Sequence, residues 1–104
     1  MLSVPNEYQR YIERHGTFEG FTSGEPGYIE LWSLTELPGN NLDIQIQELA
    51  PGFVAFAGNG GGEILAFNAS GAVFMLPLIG MEPSCAISVA GSFAELLARF
   101  EPTT

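Results

Sequence analysis

Residues 53–78 read FVAFAGNGGGEILAFNASGAVFMLPL, from Phe53 to Leu78, and the fold turns on them. Three runs rich in branched and aromatic residues, Phe53 to Ala57, Glu63 to Asn68 and Ala72 to Leu78, have the texture of strands. The gaps between them hold five and three residues. A parallel crossover needs about a dozen residues or more, so these runs must pair antiparallel, as a meander. Ser70-Gly71 supplies the second turn. The first turn is Gly58-Asn59-Gly60-Gly61-Gly62, followed at once by an acid, Glu63.

A glycine-rich loop invites a phosphate, and three features argue against one. A P-loop ends in a lysine and a Ser or Thr before a helix, and the chain has no lysine. A dinucleotide fingerprint needs a third glycine where Glu63 stands, and a helix where Ile64 to Phe67 has strand texture. A carboxylate beside a phosphate would also repel it. The simpler reading is that the glycines supply positive φ at a twisted hairpin. Lacking Cβ atoms, the loop could also leave N–H and C=O groups open beside Glu63, where a partner's backbone approaches closely.

Working outward, Ala86 to Val89 reads as one more short strand. Ser92 with Glu95 three residues later forms a capping box. Phe93, Leu96, Leu97 and Phe100 then make an apolar stripe that packs a helix on the sheet, with Pro102 as its stop. Toward the N-terminus, Val4, Tyr8, Tyr11, Ile12 and His15 share one face of a 3.6-residue period. Ser3 is placed to cap that helix, Pro5 suits its first turn and Gly16 its end. Tyr28 to Leu34 reads as a strand with Ile29 and Leu31 on one side and Tyr28, Glu30 and Trp32 on the other. Thr35 to Leu37 predicts a helical turn stopped by Pro38-Gly39. Leu42 to Ala50 fits either period, and a short helix stopped by Pro51-Gly52 is the preferred reading.

A chain of 104 residues is most simply one domain, here 1–104, and is long enough for a real core. Twelve acids face three arginines, for a net charge of −9. Nucleic acid and anionic membranes are poor partners for such a chain, because binding them needs counter-charge. A basic protein is favoured, although the charge also serves solubility. Cys85 is alone, so no internal disulfide forms. MLSVPNEYQR lacks the basic and apolar segments of a signal peptide, so a cytoplasmic protein is expected.

The motif order carries a resemblance. An ELW strand (Glu30 to Trp32) precedes Pro51-Gly52-Phe53. A strand then runs into Gly60-Gly61-Gly62-Glu63, and Pro77-Leu78-Ile79-Gly80 and Ser92-Phe93 follow. This order resembles the SUKH superfamily, which includes bacterial immunity proteins and a fungal regulator of cell-wall synthesis. The resemblance implies an α+β fold, with an N-terminal and a C-terminal helix packed on one antiparallel sheet of roughly four to six strands. It implies no catalysis, and the residues offer no cofactor motif or metal-ligand set. The role implied is binding a cognate toxin domain, of nuclease or deaminase type, and blocking it. A nuclease is basic where it meets its substrate, so the acidic balance suits that role. A scaffold that binds a host protein is the alternative, and a small carboxylate enzyme a further one.

The residues expected to meet a partner are Glu30, Trp32, Asn59, Gly60, Gly61, Gly62, Glu63 and Glu82. Glu63 and Glu82 follow the two most family-like motifs. Brought together they could act as an acid/base pair; otherwise they touch a partner or simply face water. Trp32, and Tyr28 with it, either packs under a helix or stands out as an interface anchor. His15 has no nucleophile to pair with, and one Cys with one His builds no ordinary zinc site. Cys85 is expected to be a small buried hydrophobe.

Overall fold

The computed structural model describes residues 3–101. Six strands form one antiparallel sheet in simple chain order: β1 (Glu19–Phe21), β2 (Tyr28–Leu31), β3 (Val54–Gly58), β4 (Glu63–Phe67), β5 (Val73–Pro77) and β6 (Ile87–Ala90). Helix α1 (Asn6–His15) precedes it and α4 (Phe93–Leu97) follows it. Two short helices, α2 (Leu37–Asp43) and α3 (Ile46–Leu49), fill the link between β2 and β3, and a 3-10 turn (Pro83–Cys85) leads into β6. The architecture is the expected α+β one.

The register explains why β3 and β4 read as nearly unbroken apolar runs. Leu31, Ala57, Leu65 and Met75 stand opposite one another on one face; Glu30, Gly58, Ile64 and Leu76 do so on the other. The first face packs against Tyr8 and Ile12 of α1 and Phe93 and Leu96 of α4. The second packs against Ile46 of α3, Ala50 and Met81. A strand buried on both sides cannot alternate apolar with polar. Ala55 and Ala66 pair on the second face, and their small side chains let α3 lie close.

Aromatic rings set the first core. Phe56 and Phe67 stack with centroids 4.1 Å apart. Tyr8 and Phe93 meet Phe56 edge-on at 5.1 and 6.2 Å, the geometry that ring quadrupoles prefer. The Tyr8 hydroxyl reaches across to the sheet and donates to the carbonyls of Trp32 (2.6 Å) and Phe56 (3.2 Å). One buried side chain thus ties α1 to β3 and to the end of β2.

Several boundaries differ from the sequence reading. Ser3 does not cap α1, which starts after an extended Pro5. The residue before a proline is pushed out of helical conformation, and that excludes Val4 from the first turn. Gly16, at φ 75°, ends the helix as expected. β2 stops at Leu31, although its two faces are as predicted. Pro38-Gly39 does not stop a turn: the proline sits in the first turn of α2, where its missing N–H costs nothing. The ambiguous segment Leu42 to Ala50 is the end of α2 plus α3, broken at Gln45, a non-glycine residue at φ 57°. β3, β4 and β5 lie within one residue of the expected bounds.

Strand β1 was not foreseen. Three residues with Gly20 in the middle show no alternation in sequence; the strand pairs antiparallel with β2, and the ring of Phe18 lies over that glycine, 2.9 Å from where a Cβ would stand. The Ser92 hydroxyl accepts the Glu95 N–H as predicted, while the Glu95 carboxylate accepts from Gly91, one residue ahead of the cap. Pro102 lies outside the described residues.

Candidate functional site: the glycine loop, an acidic strip and an apolar cleft

The loop between β3 and β4 is closed by its one residue with a side chain. Asn59 Oδ1 accepts the N–H groups of Gly61 (2.9 Å) and Glu63 (3.2 Å), and its Nδ2 donates to Glu63 Oε1 at 2.9 Å. The Asn59 N–H donates to the Glu63 carbonyl, and the Gly62 carbonyl accepts from Leu78. Of the three glycines' backbone groups, the Gly61 N–H and the Gly62 carbonyl are taken within the fold, while the Gly60 N–H and carbonyl, the Gly61 carbonyl and the Gly62 N–H have no hydrogen-bond partner among the described residues and lie on an exposed loop. An asparagine side chain that satisfies nearby backbone groups is a turn device. Gly60 and Gly62 take φ of 76° and 94°, which only glycine adopts cheaply. Gly60 also leans on β2: a Cβ there would lie 3.3 Å from the Tyr28 ring and 3.4 Å from Glu30 Oε1.

That contact joins the loop to an acidic strip. Glu30 faces Gly58 on one side and Glu19 of β1 on the other. The Tyr28 hydroxyl donates to the Glu19 carboxylate and is pushed up to about 12, first by that hydrogen bond and then by desolvation and the charges of Glu19 and Glu30. It stays a neutral donor at physiological pH. Phe21, exposed, meets the Tyr28 ring edge-on at 5.5 Å. Tyr28 was weighed from the sequence as an interface anchor beside Trp32, whereas Glu19 and Phe21 were not singled out; an aromatic pair flanked by acids on an edge hairpin was the available signal.

The expected contact residues divide between the sheet's faces. Glu30 shares its face with Ile64 and Leu76, whereas Glu63, opposite Pro77, shares the face of Leu65 and Met75. Asn59 Nδ2 near Met75 Sδ, at 3.9 Å, agrees with that placement. Trp32 is half-buried and packs against both core clusters. Glu82 is exposed in the segment after β5 and accepts from the Ser84 hydroxyl at 2.6 Å. Among the described residues no hydrogen bond joins it to Glu63. His15 is exposed against the Tyr11 ring. Cys85 is half-buried, less enclosed than a core cysteine.

A cleft of about 820 Å³ opens elsewhere, between the start of α1 and the α2–α3 link. Val4, Leu34, Leu37, Pro38, Leu42 and Val54 give it an apolar lining, and Gln45, Gln47 and Glu48 edge it. Glu48 is the one titratable side chain in its lining. The sequence reading passed over it because its lining comes from four separate segments.

Among the described residues no three His, Cys, Asp or Glu side chains gather to hold a metal ion, and no helix is long and apolar enough to cross a membrane. The single ion pair there is Arg99–Glu95, at 3.5 Å. With twelve acids in the chain, most carboxylates face water without a counter-charge.

These features define a small α+β protein with an acidic surface, a self-closed glycine hairpin and an apolar cleft. The chain belongs to the SMI1 / KNR4 family (SUKH-1), whose model matches residues 1–99. A search of curated proteins finds no match.

Proposed function

We propose that this chain is a single-domain, cytoplasmic, non-enzymatic binding module: an immunity protein that neutralises a basic toxin domain of nuclease or deaminase type. The observation that carries this reading is the acidic surface left almost free of ion pairs in a member of this family. A toxin that acts on nucleic acid presents cations around its active site, and an opposed carboxylate surface attracts and covers them. Glu30 on one face and Glu63 on the other, joined by the loop from Asn59 through Gly60, Gly61 and Gly62, offer a contact that wraps this end of the sheet, with Trp32 as a partly buried anchor and Glu82 as an outlying charge.

The test is co-expression with the toxin domains encoded beside the gene. Restored growth and a stable complex are expected; unrelieved toxicity with no complex refutes the proposal. In such a complex Glu63→Lys and Glu82→Lys each slow association several-fold, and added salt slows the wild type, because exposed charges act through a screened field. Association rates indifferent to both remove the electrostatic part.

A further inference from the structure

The two edges of the sheet are finished differently. The segment after α4 closes β1: Thr22 bridges to Phe100, the Ser23 N–H donates to the Arg99 carbonyl at 2.8 Å, and the Glu101 N–H donates to the Phe21 carbonyl at 2.9 Å. β6 is the last strand on the other side, and among the described residues no strand pairs with its outer edge. An open edge is a row of unpaired N–H and C=O groups, which folds usually blunt with a charge, a proline or a cover. β6 reads Ile-Ser-Val-Ala and carries none of the first two. Ile87 is 54% exposed, and Ile79, before the 3-10 turn, is 92% exposed.

Carboxylates stand at both ends of this edge strand. Glu82 precedes it and is exposed. After it, Glu95 accepts the Gly91 N–H while also meeting Arg99, and Glu7 accepts the Phe93 N–H at 3.0 Å.

We infer that the outer edge of β6 receives an extended segment of the protein partner as one further strand, an assignment that rests on the binding reading above. Backbone groups of the incoming strand satisfy those of β6, whatever its sequence. Its chemistry is set by the surroundings: apolar residues at alternate positions, on the side of Ile87, and Lys or Arg toward its two ends. The charge decides against a second copy of this chain, since both copies would bring a net −9.

The probe is a displayed library of random octapeptides panned against the full chain, with the enriched peptides synthesised and mapped by amide NMR. Enriched peptides should alternate apolar residues between basic ends, shift the amides of residues 87–90 and slow their hydrogen exchange. Ile87→Lys and Ser88→Lys, both at exposed positions, should retain the wild-type melting profile and bind about ten-fold or more weakly. Methylating alternate backbone nitrogens of the peptide should abolish binding in one of its two registers. Failure of the library to enrich, enriched peptides that map to the glycine loop or the α2 cleft, or a dimer of this chain paired through β6 would each overturn the inference. A toxin complex that forms equally well with Ile87→Lys would overturn it while leaving the proposed function standing. Peptide binding at β6 without toxin rescue would do the reverse.

Discussion

Tyr8→Phe isolates one hydroxyl at the centre of the fold. The ring is fully buried among Phe56, Phe67 and Phe93, and phenylalanine keeps those edge contacts. What goes is the donor to the Trp32 and Phe56 carbonyls. The Phe56 carbonyl still accepts the Trp32 N–H at 2.9 Å, so the loss falls on Trp32. A part-buried carbonyl stripped of its partner costs about 1–3 kcal/mol, and each kcal/mol lowers Tm by about 4–8 °C in a protein of this size. The same hydroxyl sets an alkaline limit. Burial raises its pKa well above the ordinary 10. Above pH 10 the unfolded chain therefore gives up a proton that the folded chain keeps. Stability is complete below that value and falls as pH rises through it, by about 1.4 kcal/mol per pH unit for this group. Tyr11 and Tyr28, also raised, add loss in the same direction and are unchanged in the variant. Urea titrations at pH 7 and at intervals from 9 to 11.5 measure both effects. The variant should be weaker at pH 7 and should converge on the wild type as pH rises. Equal stability at pH 7, or parallel curves above pH 10, would refute the role given to this hydroxyl.

Asn41→Ala should cost about 2–4 kcal/mol in urea unfolding, because Asn41 both accepts the Ala55 N–H and donates to its carbonyl, and both groups are left unpaired on a buried strand. Gly60→Ala should destabilise more than Gly62→Ala by thermal melting: both carry about 1–2 kcal/mol of left-handed strain, but only at Gly60 does the new methyl press on Tyr28 and Glu30. Ser92→Ala should lower stability by about 1 kcal/mol and leave the β-sheet amides protected from exchange, since it removes only the acceptor for the Glu95 N–H.

The meander and both terminal helices were legible because each rests on a local rule. Gaps of five and three residues leave no room for a crossover, and a Ser–x–x–Glu start before an apolar stripe specifies a helix. The parts that were missed depend on distant residues. β1 lies between β2 and the segment around Phe100, with Phe18 over Gly20, so its surroundings come from across most of the chain length. Pro38-Gly39 reads locally as a stop, yet Asn41 fastens α2 to Ala55 of β3, and that tertiary bond carries the helix through the glycine. Only the fold reveals that a punctuation signal has been overridden.

The site was legible in composition and not in arrangement. Glycines and an acid in sequence suggested an open backbone, but openness depends on where one amide points. Asn59 points inward and takes the N–H groups of Gly61 and Glu63, which leaves those of Gly60 and Gly62 open. Nor does proximity in sequence or in register make a common surface: Glu30 and Glu63 are one position apart across β2, β3 and β4, and strand alternation sends them to opposite faces. A partner gripping both must wrap the end of the sheet, whereas one that settles on Glu30, Tyr28 and Phe21 needs only the β1–β2 hairpin. Binding energies of Glu30→Ala and Glu63→Ala, measured singly and together on one complex, separate these modes. Losses from both substitutions require the wrap; a loss confined to Glu30 restricts the contact to the hairpin face.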